Sequence, residues 1–367
     1  MYGPPRAVSY RKKGSRSGSS NGLVPRRLRE RYEQVLKARV SSGGANIDAL
    51  RKLVLLEGLP EESDVEIKTC STKCTLRGRV WKVLLGLDNV DAAEYLSLVA
   101  KGPSNHEEKI DKDLHRTLAS DTDFTSRVTQ SKLCRLLNAY SNGKLKASKL
   151  SHKGRARRPS ADAGTSHSGV YYVQGMNLIA APFLFVMTEV DAYFSFYRFL
   201  THNCPRYVSS NLAGVHDGHV LADMVLKACD KELHEQLAQQ QLTSEMTLFP
   251  TILSFSTNRK PLGQVLRLWD IMIAYGAHLN IVFAVANLIL VRNIILMNSP
   301  AQNQKLINTG VGMPPLKASL LITLSMHLLN RLPGDLYAQL VLHPFKVLDN
   351  ENAIVNEPVP TAIDLLS

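Results

Sequence analysis

Alternating apolar–polar runs, the period-two signal of a half-buried strand, are almost absent from this sequence, so no antiparallel sheet is expected. Cysteine is sparse. The five present (Cys70, Cys74, Cys134, Cys204 and Cys229) are scattered and odd in number, which argues for free thiols in a reducing compartment. Cys70 and Cys74 stand close together, but no second pair at zinc spacing accompanies them, and no metal centre is expected. A bilayer span needs about 20 largely uncharged residues. The longest greasy stretch, 281–297, contains Asn287, Arg292 and Asn293 and reads as a buried helix instead. The opening residues are polar and basic, unlike a secretory leader, and a cytoplasmic location is expected. Without a Gly-x-Ser-x-Gly elbow or a cluster of metal ligands, hydrolase chemistry is set aside. No internal repeat is visible.

What is present is an ordinary globular composition, 44% apolar and 21% charged, in 367 residues. The net charge of +12 is unevenly spread. Residues 1–31 carry nine basic side chains against Glu30, and residues 142–169 carry seven against Asp162. Those segments exceed the whole chain's net charge, so the basicity is assigned to tails and loops and the folded body is expected to be near neutral. A nucleic-acid-binding protein would need a basic folded surface or aromatic residues among the charges. Neither is evident, and no specific nucleic-acid partner is expected.

Residues 1–22, rich in Ser, Gly, Arg and Lys, lack the apolar area needed to offset ordering entropy and read as a disordered basic tail. Leu28, Tyr32, Val35, Leu36 and Val40 recur at helical spacing, and a second helix follows from Asn46 and Asp48 to Gly58 and Pro60. These N-terminal helices, 23–66, lead into a domain at 67–347. There helix follows helix, over 91–100, 110–118, 129–139, 192–201, 220–237, 262–275 and 316–331, with Gly and Pro at the joins. The fold class is all-α. A low-complexity basic stretch at 142–169 interrupts the pattern and reads as a mobile insertion, and 348–367 as a C-terminal tail.

Four local patterns hold the chemistry. Val80, Trp81, Leu84 and Leu85 form one face of a helix that Gly86 closes, which reads as core. In Ile110-Asp111-Lys112-Asp113-Leu114-His115-Arg116, helical spacing puts Asp113 and Arg116 on one face, where the carboxylate can orient the guanidinium and leave donors free. Tyr172-Val173-Gln174-Gly175-Met176-Asn177 places Gln174 at a loop-to-helix junction, where it either caps the helix or works outward, beside a glycine that admits close backbone approach. Leu262, Val265, Leu266 and Trp269 make a stripe running into Asp270, again read as core.

In this order, the four resemble the TBC-domain family of GTPase-activating proteins for Rab-like GTPases. That family shows an Arg/Trp opening helix, an Ile-x-x-Asp-x-x-Arg motif, Tyr-x-Gln-Gly and a late Trp-Asp helix. The match extends over about residues 50–347 and implies a TBC-type multi-helix domain. Tyr172–Asn177, Ala181-Pro182-Phe183, Thr201-His202-Asn203-Cys204-Pro205 and Tyr275-Gly276-Ala277-His278-Leu279-Asn280 are similar to a fungal checkpoint branch that restrains mitotic exit and septation. Where many family members have a tryptophan before the fourth motif, this chain reads Met246-Thr247-Leu248-Phe249-Pro250, a departure that fits the same branch.

The resemblance implies Arg116 as an arginine finger and Gln174 as a glutamine finger, with Asp113, Tyr172 and Gly175 in support. It implies an enzyme activator rather than an enzyme with its own substrate turnover. It needs no cofactor of its own, because GTP and Mg²⁺ come with the partner GTPase. The branch further implies a scaffold subunit, a two-component complex and recruitment to the spindle pole body. A non-catalytic TBC adaptor, binding a GTPase or scaffold without speeding hydrolysis, is the alternative. Arg157-Arg158-Pro159-Ser160 resembles a basophilic-kinase target, making Ser160 a candidate phosphosite.

Overall fold

The computed structural model describes residues 20–42, 47–143, 172–310 and 312–346. Of the basic tail expected over 1–22, residues 1–19 lie outside the described residues, as do the insertion from 144 onward with Ser160 and the C-terminal tail at 348–367; residues 20–22 are helical, a correction to that expectation.

The described chain is helical throughout, as its patterning implies. Its first half runs through α1 (Ser20–Ser42), α2 (Ile47–Glu57), α3 (Asp64–Thr69), α4 (Leu76–Leu84), α5 (Ala92–Val99), α6 (Glu107–Leu114), α7 (Thr122–Arg127), α8 (Gln130–Asn142), α9 (Met176–Val186) and α10 (Glu189–Arg198). The second half comprises α11 (Ala213–Cys229), α12 (Lys231–Gln239), α13 (Ser244–Leu253), α14 (Leu262–Tyr275), α15 (Leu279–Leu290), α16 (Arg292–Met297), α17 (Pro300–Thr309), α18 (Ala318–Leu329) and α19 (Gly334–Leu342). Short polar side chains start many of these. Asp91, Asp121, Thr129, Thr188, Asp230 and Thr243 each accept a hydrogen bond from a first-turn amide, and Ser63 with Glu66 and Ser299 with Gln302 form capping boxes. Each such cap is worth about 1 kcal/mol.

Two nearly all-apolar helices, α9 and α15, are buried on almost every side and anchor the two halves. Helix α9 packs among α4, α6, α8 and α10, whereas α15 packs among α11, α13, α14 and α18. Helix α14 ties the halves together through α2, α4 and α15. At the junction Trp81 of α4 stacks on Trp269 of α14 with ring centroids 6.0 Å apart, and Phe183 of α9 meets both rings edge-on. The core reading of the first and fourth motifs therefore holds. It omitted a charge network: Arg77, fully buried, binds Asp270 through Nε at 3.0 Å and also pairs with Glu62, while Trp81 Nε1 donates to Asp270 at 2.8 Å.

Several expectations need correction. The helix expected over 110–118 begins earlier, at Glu107, and stops at Leu114, with Leu118 in the left-handed region (φ 47°). The 220–237 helix divides at Asp230, whose extended backbone closes α11 and whose side chain caps α12. The greasy 281–297 stretch divides at Val291, and no described helix is long and apolar enough to cross a membrane. Residues 199–203 form a π-helical turn rather than a continuation of α10. The insertion expected from 142 starts later, because α8 includes Asn142. Finally, part of the N-terminal basic cluster belongs to the folded body. In α1, Arg29 and Arg31 pair with Glu66 and Glu57, and Tyr32 is buried with its hydroxyl donating to Gly58 O at 2.9 Å. Acidic partners from the following segments neutralise what composition alone assigned to a tail.

Candidate functional site

The second and third motifs meet around one buried carboxylate. Asp113 sits in the last turn of α6, and Arg116 follows on the turn that leaves it. Although the helix ends between them, their side chains pair, with Arg116 Nη2 donating to Asp113 Oδ1. The other carboxylate oxygen accepts from the Tyr172 hydroxyl. Burial and the adjacent Asp113 carboxylate push the Tyr172 phenol well above its ordinary range, so it stays a protonated donor. A parallel link runs alongside: Thr117 Oγ1 donates to Asp113 O at 2.7 Å and accepts from Asn177 Nδ2 at 2.8 Å. The segments either side of Gln174 are thus bolted to the Arg116-bearing turn from beneath.

Gln174 lies between those bolts and is exposed, and its side chain makes no hydrogen bond among the described residues. It does not cap α9, whose N-cap is Gly175. Of the two roles left open by the sequence, the outward one remains. Gly175 has φ +97°, a backbone conformation that L side chains rarely adopt, and a Cβ there would come within 2.8 Å of Leu253 Cγ. Glycine is therefore required both for the turn and for the approach of α13.

Arg116, Gln174 and Gly175 open on a common cleft of about 570 Å³, walled by α13 and α15. Its lining among the described residues includes a second cation, Arg259, and no Asp or Glu. Arg116 projects into it with 60% of its side chain exposed, while Asp113 is almost wholly buried at 5%. A fixed carboxylate behind and free guanidinium donors in front suit an incoming anion.

The wall is itself fixed from behind. Asn280 of α15 accepts from Ser256 Oγ and donates to Ile252 O, both at 2.9 Å. Asn280 belongs to the Tyr275–Asn280 motif noted in the sequence, and its buried amide holds α13 against α15.

A match to the model of the Rab-GTPase-TBC domain covers residues 74–296. The chain belongs to the Rab-GTPase-TBC domain family. The TBC chain is 39% identical to a Dictyostelium discoideum protein provisionally named mitotic check point protein BUB2, over 83% of this chain and 76% of that one. It is 36% identical to cell division control protein 16 of Schizosaccharomyces pombe, over 81% and 88%, and 33% identical to mitotic check point protein BUB2 of Saccharomyces cerevisiae, over 82% and 92%. The Ypt/Rab-GAP domain of Gyp1p shares the fold at a TM-score of 0.61 and 14% identity, covering 83% of this chain and 97% of that one. A Chlamydomonas flagellar RabGAP TBC domain does so at 0.55 and 17%, covering 84% and 95%.

Sequence reasoning missed three contributors to the TBC site. Asn177 stood inside a quoted motif without a role, and Thr117 followed another. Arg259 lay in the loop leading into the fourth motif, whose regular apolar stripe drew the eye to the core. As for metals, Cys70 and Cys74 are buried thiols, with Cys74 Sγ donating to Asp191 at 3.0 Å. His216, His219 and Glu245 bring ligand atoms within 4.8 Å of one another on the surface of α11 and α13, a grouping with no sequence signature because its members come from two helices.

Proposed function

We propose that the chain is a GTPase-activating protein that accelerates GTP hydrolysis by a small Rab-like GTPase, with Arg116 and Gln174 supplied in trans. The observation that carries this reading is the opening of both side chains onto one carboxylate-free cleft, with Arg116 oriented by a buried Asp113. Family membership supports the reaction class.

Hydrolysis by an isolated small GTPase is slow because transition-state charge on the phosphates is under-compensated and the attacking water is loosely held. An arginine delivered in trans is worth about 10³–10⁵ in rate. The planar fork of Arg116, held by Asp113, meets phosphate oxygens in a way that lysine cannot. Gln174, free at its amide and fixed at its backbone, positions the water. No covalent intermediate forms on the chain, and GTP and Mg²⁺ arrive with the GTPase. The names of the relatives, in mitotic check point and cell division control, support a role in restraining mitotic exit or septation. We infer that the chain acts as the catalytic subunit beside a scaffold subunit, recruited to the spindle pole body from the cytoplasm.

The test is single-turnover GTP hydrolysis on a panel of small GTPases, with wild type, Arg116→Ala and Gln174→Ala, each with and without a scaffold-containing extract. Stimulation by wild type that both substitutions abolish is the expected result. GTPase binding without stimulation under any condition would establish the adaptor reading in its place.

A further inference from the structure

Arg259 stands in the loop between α13 and α14 and lines the same cleft as Arg116 and Gln174. The loop is well held: Arg259 N donates to Ser256 O at 3.0 Å, and the neighbouring Lys260 ammonium reaches Ser120 Oγ, just beyond the Arg116 turn. The side chain is half-buried, and its Nε is sealed from solvent without a hydrogen-bond acceptor. Among the described residues its guanidinium has no carboxylate, carbonyl or ring partner. Other arginines with a sealed nitrogen are compensated. Arg79 holds Glu33 through both terminal nitrogens, and Arg127 lies over the Phe185 ring at 4.0 Å. Burial without a partner pushes the Arg259 guanidinium below its ordinary range, so the fold keeps this charge at a cost.

A cost borne at a cleft wall, where no acid among the described residues answers it, points to compensation from outside. We propose that Arg259 is a socket for a carboxylate side chain of the bound GTPase, separate from the finger that meets the nucleotide. The two arginines differ in the way this requires. Arg116 is mostly exposed and already oriented by Asp113, so it reaches outward. Arg259 is partly enclosed and unoriented, so its partner must insert the anion. Its two terminal nitrogens, which unlike Nε are not sealed, then donate to both carboxylate oxygens. An acidic side chain so placed also selects among GTPases, since one with a lysine or an apolar residue there leaves Arg259 buried and unpaired. This inference rests on the GTPase reading above.

The experiment compares wild type, Arg259→Met and Arg259→Lys of the full chain, with scaffold-containing extract present. It reads the half-saturating GTPase concentration, the rate at saturation, equilibrium binding of the GTP-loaded GTPase, and the urea midpoint of the GAP alone. Methionine keeps the apolar stem and removes the charge. Its midpoint is expected to rise, because no internal partner is lost, while the half-saturating concentration increases by about tenfold and the saturated rate changes far less. Lysine is expected to recover only part of the affinity. Loss of saturated rate at unchanged affinity would show that Arg259 meets a nucleotide phosphate and overturn the carboxylate assignment. A lowered midpoint, or unchanged affinity and rate, would overturn the socket altogether. If wild type binds a GTPase but stimulates none, the activator reading fails by itself, and the binding comparison between wild type and Arg259→Met still decides the socket.

Discussion

Two arginine–aspartate pairs in this chain use the same ions in opposite ways. In Arg77–Asp270 both side chains are buried, with 3% and 2% exposed, and Arg77 Nη1 also pairs with Glu62 while Trp81 adds a hydrogen bond to the aspartate. In Arg116–Asp113 the carboxylate is as deeply buried but the arginine is 60% exposed, and its free donors face a cleft. Burial works against the charge of Arg77, yet Asp270 and Glu62 more than offset it and hold the guanidinium above its ordinary value. A closed pair locks one tertiary arrangement, and an open pair leaves half of itself facing solvent. The difference lies in what surrounds each pair, since an arginine and an aspartate read the same in either motif.

Substitutions should separate the two roles. Arg116→Ala is expected to lower stimulated hydrolysis by about 10³-fold or more, with a urea stability loss of about 1.5–3 kcal/mol because the buried Asp113 carboxylate loses its cation and keeps Tyr172. A stability loss as large as that of the closed pair, with activity tracking the folded fraction, would show that the open pair is chiefly structural. Asp270→Ala leaves buried Arg77 with Glu62 as its one carboxylate and the Trp81 N–H unpaired, and urea unfolding should show a loss of about 3–5 kcal/mol. Residual activity should then track the folded fraction rather than fall independently of it.

Acid offers a third comparison, because two buried histidines lie in the second half, away from both pairs. Burial pushes His278 down to about 3 and His343 down to about 4; His343 Nε2 accepts from the Tyr207 hydroxyl at 2.8 Å in the neutral form. Folded-state values below the unfolded value of about 6.5 mean that the unfolded chain takes up these protons first. Their stabilising contribution is complete above pH 6.5 and is lost as pH falls from there towards 4. The expected slope is about 1.4 kcal/mol per pH unit for each histidine, measured by urea titration between pH 7 and pH 5. His278→Asn should remove one histidine's share of it, whereas Arg116→Ala should leave that share unchanged.

The smallest effect belongs to Tyr172→Phe, which removes one donor from the Asp113 carboxylate and leaves the Arg116 pair in place. A stability loss of about 1–2 kcal/mol is expected, with a several-fold fall in stimulated hydrolysis as Arg116 loses orientation. Single-turnover assays beside urea titrations would register both. Unchanged values would mean that Arg116 alone suffices to hold Asp113.

Sequence periodicity set most helices because each is written locally. Leu262–Tyr275 shows its apolar stripe over 14 residues, and Asp91 or Thr129 advertises a helix start through its own side chain. Periodicity failed where the chain stays apolar or amphipathic through a break. At Asp230 the only local mark of the break is the aspartate that caps the next helix, and at Val291 no glycine, proline or capping side chain marks it. Motif order likewise brought out Arg116, Gln174, Asp113, Tyr172 and Gly175 before any geometry, since family motifs preserve residue types at short spacing.

By itself, then, the sequence determined an all-helical chain, many of its helix starts and its buried tryptophans, and it singled out Arg116 and Gln174 as candidates. Only the tertiary structure decided which charges close on one another. Glu62, Arg77 and Asp270 come from three separate segments, Asp113 and Tyr172 are 59 positions apart, and Arg259 reaches the cleft from the loop ahead of the α14 stripe. The reason is physical. Helix formation is governed by neighbours three and four residues away, whereas the value of a charge depends on burial and on partners that the folded chain brings from a distance.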